Sequence, residues 1–373
     1  MQHTDDDLLL DPVRRFLAEQ CSLTALRGAL PTDKLRAGGA PEPVPEALLL
    51  QADDVAEDNV GCDSDLFAGM WSQLCELEWP RLLMGETHGG IGLGMPQAVK
   101  VMELAGSALL PLPLGAWMNT SAFLSEQAAH APISQWLDRC MHDGRIAAFA
   151  ISAGESRMFV PYCRPDSPIV VLSYAHGKVW AGVAKGIAGS PGIDPFIHNG
   201  WLDAPIWQIQ DDFACDKASW DTFELRSRML VAAELLGVAA RALDTASAYA
   251  RERQQFGRPI GSFQAIKHRL AQDWIDLDNA RLLLTQAAAS MEPATTAETT
   301  LLATLAEHTV RQAAGVAVRN ALQVHGAMGM TWECDVHFYL KRAHFLCAMM
   351  NHRYTDADRL QQVWQLSADR MTI

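Results

Sequence analysis

At 373 residues the chain exceeds the usual ~100 to 200 residues of one domain, so two or three packed units are expected. A hydrophobic content of 49% is that of an ordinary globular protein. The net charge of −14 repels a nucleic acid backbone, which demands a basic footprint, while leaving small anions possible wherever an arginine dominates locally. No run of about 18 apolar residues is available to span a bilayer. The start, "MQHTDDDLLLDPVRRFLAEQC", carries acids where a secretory signal needs basic residues, so a cytoplasmic, non-membrane protein is expected.

Apolar residues recur at helical spacing in 6–20, 65–79, 95–110, 115–129 and 133–144, which predicts a helical first unit over residues 1–144. Between its second and third helices lies "GETHGGIGLG" (85–94). This loop lacks a Walker lysine and an incoming strand, so it reads as a turn rather than a phosphate cradle. From about 145 the texture changes to short β-like runs, "IAAFAIS", "PIVVLSY", "GKVWAGV" and "APIWQIQ". Residues 145–216 can make only a small sheet or partial barrel. Residues 217–373 read as a helical bundle: a run from about 220 to 254 capped by Asp216 or Ser219, then runs to about 291, over 297–324 and over 334–350, with a short tail helix. Leu225, Met229, Ala232, Leu236, Ala239, Leu243 and Ala246 form one apolar stripe on the first of these. The fold class is therefore mainly α with a small central β-domain. Eight scattered cysteines lack paired or C-x-x-C spacing and read as buried thiols rather than disulfides or zinc ligands. His325, His337, His344 and His352 lack a convincing spacing for a metal and read as core or interface residues.

One stretch is more elaborate than a helix hairpin requires. In "RERQQFGRPIGSFQAIKHR" (251–269) a helix ends near Phe256-Gly257 and another restarts at Phe263. Gly257 permits left-handed closure, Pro259 rigidifies the turn and Ser262 offers a cap. Arg253, Gln255, Phe256 and Phe263 are thereby projected beside two helix ends, a place suited to a phosphate with an adjacent ring; a well-capped hairpin with a solvated arginine is the plainer alternative.

"YARERQQFGRPIGSFQAIKHRLA" (249–271) followed by "QVHGAMGMTWECDVHFYLKRA" (323–343) resembles the acyl-CoA dehydrogenase family, particularly bacterial branches acting on steroid and other bulky acyl chains. Residues 71–114 are similar to that family's helical amino-terminal region, so the resemblance covers nearly the full length. It implies a helical domain, a small β-domain and a carboxyl-terminal four-helix bundle, with FAD lying across a subunit interface. It implies that Arg253, Gln255, Phe256, Ile260, Phe263 and Ile266 hold the adenine and pyrophosphate end of FAD, with Gln323, Gly326 and Ala327 completing that site. Ala327 stands where the family has a second glycine, which makes close backbone approach less easy. An acyl-CoA substrate and an electron-transferring flavoprotein as acceptor are implied as well.

In that family a glutamate takes the α-proton while hydride leaves the β-carbon for flavin. The two positions that supply it match Met350-Asn351 and Ser227 here, and neither can act as the base. Glu224, Glu234, Glu333 and Asp335 are read as cap, surface or interface carboxylates. No catalytic residue is therefore assigned to this chain. The turn that contacts flavin in relatives is shortened at "FAISAGESRMFVPYCRPDSP" (149–168), where Ser152 and Ser156 still offer hydroxyls. The pattern predicts a subunit of a heteromeric, α2β2 dehydrogenase whose paralogous partner brings the glutamate. The alternatives are a non-catalytic homologue binding no flavin, and a homomer with a relocated base such as Glu224 or Glu234.

Overall fold

The computed structural model describes residues 2–30, 64–128, 131–152, 157–164, 167–185, 188–190, 192–203, 206–291, 296–351 and 361. The expected tail helix, Cys62, Ser156 and His352 lie outside the described residues. Among the described residues six helices come first: α1 (Gln2–Gln20), α2 (Leu23–Gly28), α3 (Ser64–Glu76), α4 (Met95–Ser107), α5 (Leu114–Ala128) and α6 (Pro132–His142). Only the six-residue α2 has no counterpart in the sequence reading; Ser22 caps it by accepting from the Ala25 amide.

Seven strands follow: β1 (Ala148–Ser152), β2 (Met158–Pro161), β3 (Ile169–Ala175), β4 (Lys178–Lys185), β5 (Ala188–Ser190), β6 (Asn199–Leu202) and β7 (Ile206–Ala214). They form a four-stranded sheet of order β1-β3-β4-β7 and a three-stranded sheet of order β2-β6-β5. Within the larger sheet β1 runs parallel to β3, and the other pairs are antiparallel. The apolar runs mark β1, β3, β4 and β7. The smaller sheet has strands of three or four residues, too short for an alternating pattern to be read.

Four long helices follow among the described residues: α7 (Lys217–Glu252), α8 (Gln264–Ser290), α9 (Ala297–His325) and α10 (Val336–Asn351). Asp216 caps α7 by accepting from the Ser219 amide, and Thr296 caps α9 in the same way through Thr299. The 36 residues of α7 make a rod of about 54 Å, against which α4, α9 and α10 pack. Its seven stripe residues are buried, and so are Ala233, Leu235, Val238 and Ala242, because helices cover it from several sides.

The crossing of α4 and α7 is set by two glycines. A Cβ on Gly106 would lie 2.0 Å from the Glu234 carbonyl oxygen, and one on Gly237 would lie 1.8 Å from that of Glu103. The backbones therefore touch, which fixes Glu234 at the junction between the first helices and the bundle. Among the described residues no helix is long and apolar enough to cross a membrane. The seven described cysteines are free thiols; Cys21, Cys140, Cys163 and Cys215 are buried, Cys75, Cys334 and Cys347 half-buried. Burial pushes the Cys21 and Cys163 thiols up to about 12, which leaves them unreactive near neutrality.

The loop over 85–94 folds back on itself. Gly89 and Gly92 adopt left-handed φ angles of 79° and 72°, and a Cβ on Gly90 would lie 2.1 Å from the Met84 carbonyl oxygen. Its glycines thus serve tight packing within the loop.

Candidate active-site cavity and bundle end

The first site is a cavity of about 240 Å³ bounded by α4, α5, α7, α10, β1, β2 and β3. Its walls are mostly apolar, with Met102, Leu114, Phe149, Leu172, Phe345 and Met349 among them. Ser227 and Met350 both line it, although 123 positions separate them in the chain. The structure thus brings the two residues lacking a base to one space. Glu224 and Glu234 line it too, whereas Glu333 and Asp335 do not. Glu333 is exposed, and Asp335 pairs with Arg27 at 3.0 Å.

Glu234 is not the cap, surface or interface carboxylate expected from sequence. It is 7% exposed, and its Oε1 accepts from Tyr162 Oη at 3.1 Å and from Arg342 Nη1 at 3.0 Å. Arg342 is fully buried; it also donates through Nε to Asp194, through Nη1 to the Leu110 carbonyl at 3.0 Å and through Nη2 to the Leu109 carbonyl at 3.2 Å. One guanidinium therefore joins α10, α7, the end of α4 and the segment between β5 and β6. Burial raises the Glu234 carboxyl above its ordinary range, with the Arg342 charge and the Tyr162 hydroxyl working against that rise. Burial works to lower the Arg342 pKa, but Asp194, Tyr162 and Glu234 outweigh it and the net direction is upward. Tyr162 is raised well above its ordinary value by burial and by Glu234, so it stays a hydrogen-bond donor. A carboxyl group held by these donors is committed to the structure and is a poor candidate for a mobile base.

Arg228, beside Ser227, is also engaged: its Nε donates to Glu307 at 2.6 Å and Nη2 to Thr304 at 3.4 Å. Asn119 on α5 donates to Ser227 Oγ at 2.6 Å and to the Phe223 carbonyl at 2.8 Å. Neither Asn119 nor Arg342 was singled out from sequence; each acts through residues more than a hundred positions away, and no local pattern announces that.

The second site is the exposed end of the bundle. Helix α7 stops at Glu252, and the chain enters a two-stranded hairpin of Gln254–Gln255 paired with Arg258–Pro259. Its turn residues are Phe256 and Gly257, with φ of 55° and 77°. Positive φ at both positions is the signature of the tight hairpin turn that matches strand twist, and it requires strain at a bulky Phe. This corrects the expectation that Gly257 closes a helix. Ser262 does not cap the next helix either: Phe263 occupies the N-cap of α8, and the Ser262 hydroxyl is buried with no described partner. The hairpin is held to the helix instead by the Arg253 amide donating to the Tyr249 carbonyl at 2.8 Å and the Ile260 amide donating to the Arg253 carbonyl at 2.8 Å.

Arg253, Gln255 and Phe256 are exposed, Phe256 to 91%. Phe263 and Ile266 are half-buried, and Ile260 is buried under the turn. The Phe256 and Phe263 rings stand edge to face at 6.1 Å, and the Arg258 guanidinium lies 4.2 Å from the Phe263 centroid. Gln323, Gly326 and Ala327 are also exposed, at the end of α9 and the turn that follows. The Tyr249 and His325 rings stack at 4.4 Å, which ties the carboxyl ends of α7 and α9 together. Gly326 has a φ of 63° with open space around its Cβ position. Met328 and Met330 extend the exposed patch, and the sequence reading passed over both. Of the histidines, His325 and His337 are buried and His344 is exposed. Among the described residues no group of three His, Cys, Asp or Glu is placed to hold a metal ion.

The model of the acyl-CoA dehydrogenase C-terminal domain matches residues 223–348, a span that contains Ser227, Glu234 and the hairpin but stops just short of Met350. Among solved structures, the Tcur3481-Tcur3483 steroid ACAD variant has a TM-score of 0.75 at 19% identity, covering 100% of each chain. The ChsE4-ChsE5 complex from Mycobacterium tuberculosis has a TM-score of 0.70 at 20% identity over 99% of this chain and 97% of that one. These two likenesses concern the fold. The acyl-CoA dehydrogenase IpdE2 of Mycobacterium tuberculosis is 30% identical over 298 residues, which is 79% of this chain and 87% of that protein. With that relative matched over so much of its length, the chain belongs to the acyl-CoA dehydrogenase family of oxidoreductases.

Proposed function

We propose that this chain is one subunit of a heteromeric, FAD-dependent acyl-CoA dehydrogenase. The enzyme desaturates a bulky acyl-CoA thioester, of the steroid side-chain or cyclic kind, at its α,β-position. On this reading residues 1–144, 145–216 and 217–373 are the helical, β and bundle units. A paralogous chain in an α2β2 assembly supplies the glutamate that removes the α-proton, and an electron-transferring flavoprotein takes the electrons. The observation that carries the proposal is the inequality of the two sites. Ser227 and Met350 line the cavity and Glu234 is tied down by Arg342, while Arg253, Gln255, Phe256, Gln323, Gly326 and Ala327 stand exposed. The two-chain names of the ChsE4-ChsE5 and Tcur3481-Tcur3483 structures support an assembly of two unlike subunits.

The exposed end suits the adenine and pyrophosphate half of FAD. Among the described residues no carboxylate pairs with Arg253, so its guanidinium fork is available to pyrophosphate oxygens. Phe256 and Phe263 offer apolar surface to a ring, with Ile260 and Ile266 beneath. The open backbone at Gly326 admits close approach, and the exposed methyl of Ala327 points to no filled core. FAD, when bound, supplies the hydride acceptor. This chain's own contribution is to grip the nucleotide, keep water out through an apolar cavity and hold the thioester's surroundings rigid.

Co-expression with a paralogous dehydrogenase chain tests this. A yellow mixed oligomer with one FAD per two subunits is expected, and Arg253→Ala should lower its flavin content by tenfold or more. A colourless homomer, or an unchanged flavin content in that variant, would overturn the proposal and favour a non-catalytic homologue.

A further inference from the structure

The cluster around Arg342 sets one cation against two carboxyl groups, and the two are bonded differently. The Arg342 and Asp194 side chains are fully buried, and Glu234 is buried beside them. Asp194 uses both oxygens: Oδ1 accepts from the Phe196 amide at 2.9 Å and Oδ2 from Arg342 Nε. Glu234 uses one. Its Oε1 accepts from both Tyr162 Oη and Arg342 Nη1, while Oε2 bonds to no described residue. An ionised carboxylate accepts at both oxygens, whereas a protonated one keeps an accepting carbonyl oxygen and turns the other into an O–H donor. Asp194 has the first pattern and Glu234 the second.

Charge leads to the same assignment. With Asp194 alone ionised the cluster is neutral; with Glu234 ionised as well it carries a buried net negative charge, and a group so placed takes up a proton instead. The neighbouring elements do not supply the missing charge. Tyr162, just after β2, and Cys21, just after α1, are kept protonated by burial. Lys341 on α10 acts on Asp194. Glu103 on α4 is paired with Arg281 at 2.8 Å, and Arg228 on α7 with Glu307 at 2.6 Å.

The cluster also holds two strained residues. Leu109, whose carbonyl accepts from Arg342 Nη2, has a φ of 54°, and Tyr162 has one of 55°. Left-handed backbone at such residues persists only where the surroundings impose it. Tyr162 and Glu234 line the cavity, and Leu109 leads into Leu112, Pro113 and Leu114, which line it too.

We propose that Glu234 is a neutral carboxylic acid in the folded chain near pH 7, and that its proton is a latch. Its loss puts an anion on the wall of an apolar cavity, admits water there and frees Leu109 and Tyr162 to relax. The upward push of burial on the Glu234 carboxyl agrees in direction. Because the folded group titrates above its ordinary value of 4.5, its contribution to stability is complete below about pH 4.5 and is lost as pH rises through the folded value. None of this depends on the heteromeric reading.

Urea unfolding of the protein, purified with whatever partner accompanies it, is compared with that of Glu234→Gln and Asp194→Asn. Gln copies a neutral acid in shape and keeps its accepting oxygen, so at pH 7 Glu234→Gln should change the unfolding constant by less than about fivefold. Asp194→Asn removes the ionised partner and should raise that constant about 100-fold or more. Between pH 5 and 9 the unaltered protein should lose stability relative to Glu234→Gln, since other groups contribute alike to both and cancel. An infrared band of a protonated carboxyl at pH 7, missing from Glu234→Gln, identifies the proton itself. Hydrogen exchange over residues 109–114 and 158–163 should match in the two proteins at pH 6 and be faster in the unaltered one at pH 9, by about tenfold or more. A Gln variant as unstable as Asp194→Asn or unable to fold, a relative stability that moves the other way with pH, no such band, or equal exchange at both pH values would each overturn the proposal. Flavin content, which depends on Arg253, reports separately on the heteromeric reading.

Discussion

The cavity and the bundle end are built from the same long helix, α7, yet they treat charge in opposite ways. At the cavity Arg342 is buried and spends its donors on Asp194, Glu234 and two backbone carbonyls. At the bundle end Arg253 stands in solvent on a strained hairpin with no described carboxylate against it. A buried guanidinium holds elements together, because removing it strands two carboxyl groups in low dielectric. An exposed one is held ready for an external anion and contributes little to stability. Variants at the two places should therefore dissociate stability from cofactor binding.

The largest effect should come from Arg342→Met. Breaking the buried pair leaves Asp194 and Glu234 uncompensated and should cost about 3–5 kcal/mol in urea unfolding. Flavin per folded subunit should change less than twofold, since the hairpin is untouched. A loss of flavin without loss of stability would erase the contrast.

Next comes a pH effect at His337, whose ring is packed between Trp332 and Phe338 with neither nitrogen partnered. Burial, then the charges of Lys341 and Arg27, depress its pKa from 6.5 to about 4. The unfolded chain thus binds the proton first. Stability is complete above about pH 6.5 and is lost as pH falls to about 4, by about 3 kcal/mol in total. Denaturation midpoints at pH 7 and 5 measure the slope, and His337→Phe should flatten it. Tests of the bundle end at low pH need this correction to remain comparable with the cavity.

Smaller, and opposite in sign for the two readouts, is Phe256→Gly. Relief of a left-handed φ at a bulky residue should stabilise the fold by about 1 kcal/mol. Loss of the ring should lower flavin retention about tenfold, by analogy with base stacking on aromatic side chains. Stabilisation with undiminished flavin would mean that the strain serves something other than the nucleotide. The smallest stability effect, within about 0.5 kcal/mol, is expected for Arg253→Ala, as for a surface position without a special contact.

Much of the helical framework is legible in the chain because each long helix carries its own stripe. Ala232, Leu236 and Ala239 repeat with the helical period, and Asp216 announces a start. β2 and β6 are not legible: four residues with Asn, Gly or Pro among them offer no alternation, and pairing within the smaller sheet makes them strands. The Phe256-Gly257 turn shows the same limit from another side. A glycine after an aromatic residue is compatible with helix closure or with a hairpin, and the Arg253–Ile260 hydrogen bond decides between them. Glu234 looked like a surface or interface acid because nothing nearby in sequence could neutralise it; its cation comes from position 342.

The amino-acid sequence by itself determined where the helices run, which residue types are missing at Ser227 and Met350, and which residues form the Arg253–Phe256 motif, because periodicity, identity and spacing are local properties. Tertiary structure alone decided that Ser227, Met350 and Glu234 share one cavity, that the Asn119 amide donates to the Ser227 hydroxyl, and that Arg342 joins four segments at once. Those arrangements depend on contacts between residues a hundred or more positions apart, and a chain of letters carries no distance between them.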